Sequence, residues 1–424
     1  MRRNCLLNCA NCVVLVFGLL VAFATGASAA GKEKVIYSFQ GGSDGAYPYS
    51  DLATDADGNL YGTTSGGGCS QGCGTVFELM RTKDGWKEQV LYRFTGGSDG
   101  SGPQTGLTFD SVGNLYGTTP STVFELSPNG HGGWTLNTLN NSANWFLPAG
   151  DLAFDAQGNL YGAASEGGSG GKSCDEDGCG AVFELAPQVD GSWTETTIHV
   201  FQPNSSDGVI PSSGVVLDAA GDVYGMTLWG GTGACRGRAF AGIPGCGTIY
   251  ELKPGSRGSW TETILYDFDR GCGSGVYPSG GVLFDEAGHV LGTSQVGGNG
   301  LGTVLELRNT QRSGWQQGIL HRFFGPPDGD FPVGRLVEDA RGDLFGVAYY
   351  GGANRDGTVF QMHHSKEGWK EQILHSFGGA GDGANPQAGL VFDKNGRLYG
   401  TTGYGGSGTA CGWRGCGTVY EITP

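Results

Sequence analysis

Basic residues are scarce in this 424-residue chain: Lys and Arg number 25 against 41 Asp and Glu, for a formal net charge of -16. Binding to nucleic acid needs a basic surface that displaces counterions, so nucleic acid is not expected as a partner. Histidine is scarcer still, with seven residues and no HExxH spacing. No Gly-x-Ser-x-Gly motif falls at a strand-to-helix turn, and no phosphate or dinucleotide loop falls in a βαβ unit. Neutral polymers and cations remain open as partners. Long apolar runs are also missing, except near the start. There Arg2 and Arg3 precede an apolar run from Val13 to Ala24 and the triplet Ala27-Ser28-Ala29, the layout of a cleaved export signal over residues 1–29. The run is shorter than the roughly 18 to 20 residues that span a bilayer. The chain from residue 30 onward is therefore expected to be secreted or periplasmic, without membrane insertion and monomeric.

What the chain has in plenty is glycine, 83 residues, alongside 11% aromatic residues. Disorder goes with few aromatics, so this composition reads as a turn-rich globular protein. Internal repetition then fixes the architecture. An Asp-x-x-Gly turn recurs seven times, at Asp55, Asp110, Asp155, Asp218, Asp285, Asp339 and Asp393, between short apolar runs such as GLTF and NLYGTT. Gly in such a turn supplies the positive φ of a hairpin, which assigns strands a and b. A third run follows each hairpin, GTVFEL at residues 74–79 and its six counterparts, and is strand c. A fourth begins with Trp and ends with an aromatic, as in WKEQVLYRF from Trp86 to Phe94. Only six copies of this strand d have their own three predecessors. The seventh unit stops after strand c at Pro424, while EKVIYSF near Lys34 is a strand d with nothing before it. Residues 34–39 should therefore complete a seventh blade with residues 386–424, closing an all-β, seven-bladed β-propeller over residues 30–424 and leaving no open sheet edge.

The GNLYGTT, GTVFEL and GGSDG elements resemble the Gloeobacter/Verrucomicrobia (GloVer) tandem repeat of exported, choice-of-anchor bacterial proteins. The resemblance covers essentially all of the chain after the signal, and implies an exported, propeller-like protein.

In an up-and-down blade the b-c loops and d-a crossovers share one end, and here that end carries the variable insertions. Binding residues concentrate in such loops on a rigid scaffold. Residues that break the repeat there are the ligand-binding candidates: Trp229 and Arg236, Tyr349 and Tyr350, then Tyr404, Trp413 and Arg414, with Trp145 before blade three. Exposed aromatics suit stacking on a sugar ring, and aromatics also pack beneath long loops. Four local cysteine pairs lie in b-c loops: Cys69 with Cys73, Cys174 with Cys179, Cys235 with Cys246, and Cys411 with Cys416. In an exported chain these are expected as disulfides, each contributing ~2 to 3 kcal/mol by loop closure. The other reading is four-thiolate zinc, with Cys69, Cys73, Cys411 and Cys416 converging. Cys272 is left over.

The d-a crossovers repeat Asp44, Asp99, Asp207, Asp328 and Asp382 before glycine. Such carboxylates could hold calcium, or could cap their own turns. No other cofactor is expected. Glu78, Glu125, Glu184, Glu251, Glu306 and Glu421 recur within strand c, and six copies of one carboxylate point to a repeated structural hydrogen bond. The leading reading is a non-catalytic extracellular or cell-envelope binding module for glycan or envelope polymer. The alternative is a polysaccharide lyase or glycoside hydrolase using loop-face carboxylates and aromatics.

Overall fold

Each Asp-x-x-Gly copy forms a hairpin for a reason visible at Asp55. Its carboxylate accepts the N–H groups of Asp57 and Asn59, both at 2.9 Å, while Gly58 turns the chain at φ 85°. The computed structural model describes residues 31–140, 145–168, 174, 178–203, 206–233, 235, 245–269, 275–297, 300–310, 314–378 and 381–424, so the proposed export signal, Arg236 and Cys272 lie outside the described residues. Gly31–Pro424 forms one compact unit of seven antiparallel sheets. Among the described residues no helix is long and apolar enough to cross a membrane.

Blade one consists of strands Ala53–Thr54 (a), Leu60–Thr64 (b), Thr75–Thr82 (c) and Gly85–Arg93 (d), paired in that order. The other blades repeat it. In blade seven, strand c (Thr418–Thr423) pairs on its outer side with Lys32–Ser38, matching Lys34 to Glu421 and Ser38 to Thr418. The closing strand thus begins at Lys32 rather than Lys34. Strand a of blade seven begins at Gly383 and not at residue 386, because strand a is split there into Gly383–Pro386 and Val391–Phe392, both pairing with strand b. In all seven blades the register between strands c and d shifts once near their middle, as between Val76 and Phe77. Such a bulge adds one residue to strand d and increases its twist.

The core is a series of seams between blades. The Phe that follows strand d packs edge-on against the strand-c aromatic of the next blade: Phe39 on Phe77, Phe94 on Phe124, Phe201 on Tyr250, Phe323 on Phe360 and Phe377 on Tyr420, with centroids 5.0 to 5.3 Å apart. Every one of these rings is fully buried or nearly so. Edge-to-face pairs of this kind contribute about 0.5–1.5 kcal/mol beyond the area they bury.

A second contact crosses every seam. The residue before the strand-a proline adopts a left-handed conformation at Tyr47, Gly102, Leu147, Ile210, Tyr277, Phe331 and Asn385, with φ between 53° and 63°. Its N–H donates to a carbonyl just ahead of strand c in the preceding blade: Tyr47 to Cys416 at 2.8 Å, Ile210 to Cys179 at 2.9 Å, Phe331 to Leu301 at 2.9 Å, and likewise round the ring. A left-handed conformation costs a residue with a side chain roughly 1–2 kcal/mol, and the position before proline favours extended backbone. The hydrogen bond and the proline ring seated on the neighbouring blade offset that cost. Blade two already has glycine here, and Leu147 is 42% exposed, so little packing would be lost on its removal. Leu147→Gly is accordingly expected to leave stability unchanged or raise it by up to about 1 kcal/mol. Urea denaturation would check this, and a loss above 1 kcal/mol would contradict a strained backbone.

Candidate functional site

The repeated carboxylates resolve first. The hydroxyl of Tyr61 donates both to Asp55 of its own hairpin (3.1 Å) and to Glu78 of strand c (2.9 Å). Tyr116, Tyr161, Tyr224 and Tyr399 bridge their Asp and Glu partners in the same way. In blade five, where strand b carries Leu291, His289 takes over and lies 2.8 Å from Asp285 and 3.3 Å from Glu306. The strand-c glutamates are thus the structural acceptors expected of a residue repeated in blade after blade.

The five crossover aspartates sit in five separate seams. Each accepts a main-chain N–H of its own loop: Gln40 to Asp44, Thr95 to Asp99, Gln202 to Asp207, Phe324 to Asp328 and Gly378 to Asp382, at 2.7 to 3.0 Å. Each also faces a strand-d side chain: Tyr37 and Tyr92 donate to Asp44 and Asp99, while His199, His321 and His375 lie 3.7, 3.2 and 3.1 Å from Asp207, Asp328 and Asp382. Strand d of the following blade adds a glutamate in four of these seams: Glu88, Glu262, Glu371 and Glu33. Three of the sets, those with histidine, bring His, Asp and Glu ligand atoms within 4.8 Å of one another. Tyrosine replaces histidine in equivalent seams, so their common element is a donor to aspartate. Burial pushes Glu88 and Glu262 up to about 7 and Glu371 up to about 8, with Asp44, Asp207 and Asp328 adding to the effect. Glu33 is raised for the same reason.

The b-c loops and d-a crossovers do share one end, as Gly68 donating to Gly42 across them shows. All four cysteine pairs are disulfides, with Cα atoms 5.1 to 5.4 Å apart, so no four-thiolate zinc site forms. Their placement adds a role that spacing alone does not reveal. Cys73, Cys179, Cys246 and Cys416 supply the carbonyls that accept from Gly102, Ile210, Tyr277 and Tyr47 of the following blades. The bridges therefore steady contacts between blades as well as loops within them.

Five of the candidate ligand residues converge. Tyr349 and Tyr350 of blade six lie edge-to-face at 4.4 Å, and Arg414 covers the rings of both Tyr404 and Trp413 at 5.2 and 4.9 Å. Tyr404 in turn meets Tyr47 and Tyr49 of blade one, and Phe331 meets Tyr350. Tyr349 lies near enough to Tyr404 and Arg414 to interact with both electrostatically. The result is a continuous aromatic surface across blades six, seven and one, on which Trp413 is 89% and Tyr350 46% exposed. Trp229 does not belong to it. That ring packs on Tyr277, 4.3 Å away, against the core of blade four. The side chain of Trp145 lies outside the described residues.

Tyr49 connects this surface to the ring axis, where residues from all seven blades line a cavity of about 490 Å³. Its charged side chains, Asp51, Asp151 and Arg335, escape a reading of the sequence that looks only at loops. They occupy one repeat position, two residues ahead of the short inner segment of strand a in most blades and just before a buried Leu, and the other four blades have Gly106, Gly214, Gly281 and Gly389 there. Across the seven repeats this position reads Asp, Gly, Asp, Gly, Gly, Arg, Gly. Asp151 accepts the N–H of Gly106 and Asp51 that of Gly389, both at 2.6 Å.

Seven four-stranded blades closed by the N-terminal strand define a β-propeller with an axial cavity. The chain belongs to the Gloeobacter/Verrucomicrobia repeat family, whose pattern matches residues 21–240 and 238–424. Among solved structures it is similar to virginiamycin B lyase from Staphylococcus aureus, with a TM-score of 0.55 and 14% identity over 93% of this chain and 99% of that one. It is similar also to a protein from Lactobacillus plantarum, at a TM-score of 0.50 and 15% identity over 77% and 84% of the two chains. These likenesses concern the fold. No curated protein matches the chain.

Proposed function

We propose that this protein is an extracellular or cell-envelope glycan-binding propeller. The observation that carries this reading is the convergence of Tyr349, Tyr350, Tyr404, Trp413 and Arg414 on one exposed surface beside the axial cavity. Flat aromatic faces stack on the apolar faces of sugar rings, and a surface spanning three blades can engage several consecutive units of a polymer. Export is supported by four disulfides, which persist in oxidising compartments.

A glycan array probed with the protein tests this, with product analysis on every hit to separate binding from a lyase or hydrolase activity. Trp413→Ala and Tyr404→Ala are each expected to weaken binding of a positive oligosaccharide about tenfold, as loss of a central aromatic does at other interfaces. Silence across the array, or hits unaffected by both substitutions, would remove the reading. The screen includes a calcium arm. Calcium is expected to change little, because the five crossover aspartates lie in separate seams and already accept main-chain hydrogen bonds.

A further inference from the structure

The axial cavity holds charges of both signs that do not satisfy one another. Asp51 and Asp151 each commit one carboxylate oxygen to a main-chain N–H, through Gly389 and Gly106. Among the described residues, no hydrogen bond reaches the second oxygen of either. Arg335 lines the same cavity and is exposed to it. Its guanidinium acts electrostatically on Asp151, yet among the described residues no carboxylate comes within the 4 Å of an ion pair. Gln104, Gln295 and Gln387 also line the space without a hydrogen bond from the described residues. Four blades place glycine where these three charges stand, so closing the ring does not require them. A charged group facing a cavity with unused hydrogen-bonding capacity marks a place where a ligand completes the set.

We propose that the axial cavity binds a small zwitterion of the α-amino acid type. Its carboxylate would lie on the fork of Arg335 and its ammonium between the free oxygens of Asp51 and Asp151, with the glutamine amides taking the remaining polar groups. A guanidinium matches a carboxylate with two parallel hydrogen bonds. A pure cation would leave Arg335 unmatched and a pure anion would face two carboxylates, so the mixed set selects against both. At about 490 Å³ the space is within the range of small-molecule sites. This site is independent of the aromatic surface, and either could exist without the other.

A proton accompanies binding. Burial, then the nearby Asp51, push Asp151 up to about 7, against the opposing pull of Arg335. These are the charged groups that face it. In the empty cavity near pH 6 Asp151 holds a proton, and an arriving ammonium favours its release to the buffer.

The test is calorimetric titration of the protein with each of the common α-amino acids, and with ethylamine and propionate as half-ligands. At least one amino acid is expected to bind more than tenfold tighter than either half-ligand. Arg335→Gln and Asp151→Asn are each expected to weaken it by roughly tenfold or more, the loss typical of a charged hydrogen-bonding partner. Titration at pH 6 in buffers of different ionisation enthalpy should show proton release, which Asp151→Asn abolishes and which vanishes at pH 8.5. The inference is overturned if no amino acid binds, if ethylamine or propionate binds as tightly, or if Arg335→Gln has no effect. Oligosaccharide binding measured on the same preparation keeps that outcome separate from the fate of the aromatic surface.

Discussion

A chain beginning at Gly41 is expected to lose the folded ring. The segment it lacks supplies the outermost strand of blade seven, including six paired positions along strand c. It also supplies Phe39, which is fully buried and packs against both Tyr37 and Phe77. Truncating one such ring to alanine costs about 3–5 kcal/mol, against a total stability of about 5–15 kcal/mol for a typical domain. Removing the whole strand takes away the Phe39 seam, the main-chain ladder and the apolar side chains of Val35, Ile36 and Tyr37 together. It also leaves strand Thr418–Thr423 as a bare edge, which invites pairing with a second chain. Near-UV circular dichroism and gel filtration should show a molten or self-associated species, and a peptide covering residues 31–40, supplied in trans, should restore the monomer. A soluble monomer with unchanged thermal melting would rule out this strand as the clasp of the ring. The milder Phe39→Ala variant should stay folded and lose about 3–5 kcal/mol.

Stability should fall as pH rises from 5 to 8, the reverse of the trend set by exposed ion pairs. Glu88 and Glu262 are held up to about 7 and Glu371 up to about 8 in the fold, from an ordinary value of 4.5. Between the two values the folded chain keeps a proton that the unfolded chain releases. The stabilisation is therefore complete below about pH 4.5, erodes as pH climbs, and is gone above about 8. At 1.36 kcal/mol per unit, the three groups together set an upper limit of about 12 kcal/mol. Solvent reaches these half-buried seams, so a fall of a few kcal/mol is the expected result. Guanidinium denaturation at pH 5, 6.5 and 8 in constant salt measures it. Glu371→Gln, which cannot ionise, should flatten the slope, and a midpoint that rises between pH 5 and 8 would refute the assignment.

Much of this architecture is legible in the sequence because the repeat isolates local rules. Asp55 and Gly58 specify a hairpin by contacts within five residues, and Cys411 and Cys416 are close enough in the chain to pair without knowledge of the ring. The fourth strand near Lys34 is recognisable because its Trp-less copy still alternates as WKEQVLYRF does. Contacts that depend on the neighbouring blade are harder to read. Nothing in the dipeptides Tyr47-Pro48 or Ile210-Pro211 announces a left-handed residue, since the carbonyl that holds it belongs to another repeat. Trp229 and Trp413 look alike as loop aromatics, and only the ring places one against Tyr277 and the other in solvent. Asp51, Asp151 and Arg335 are hard to read from the sequence for a different reason. They sit at a repeat position next to strand a that is dominated by glycine, and acquire meaning only when seven blades converge on one axis.

The hydrogen bond from each pre-proline residue to the blade behind it has a consequence for how such chains can change length. Donor and acceptor for one junction lie on consecutive repeats, so every repeat contributes half of a junction at its front and half at its rear. A duplicated repeat would therefore arrive with both halves in the correct order, and a deleted one would remove both. The copy number of the repeat can drift by whole units without stranding a donor or a carbonyl. A cut that falls within a unit has no such protection, and selection on these genes should tolerate gains and losses only in steps of one full blade.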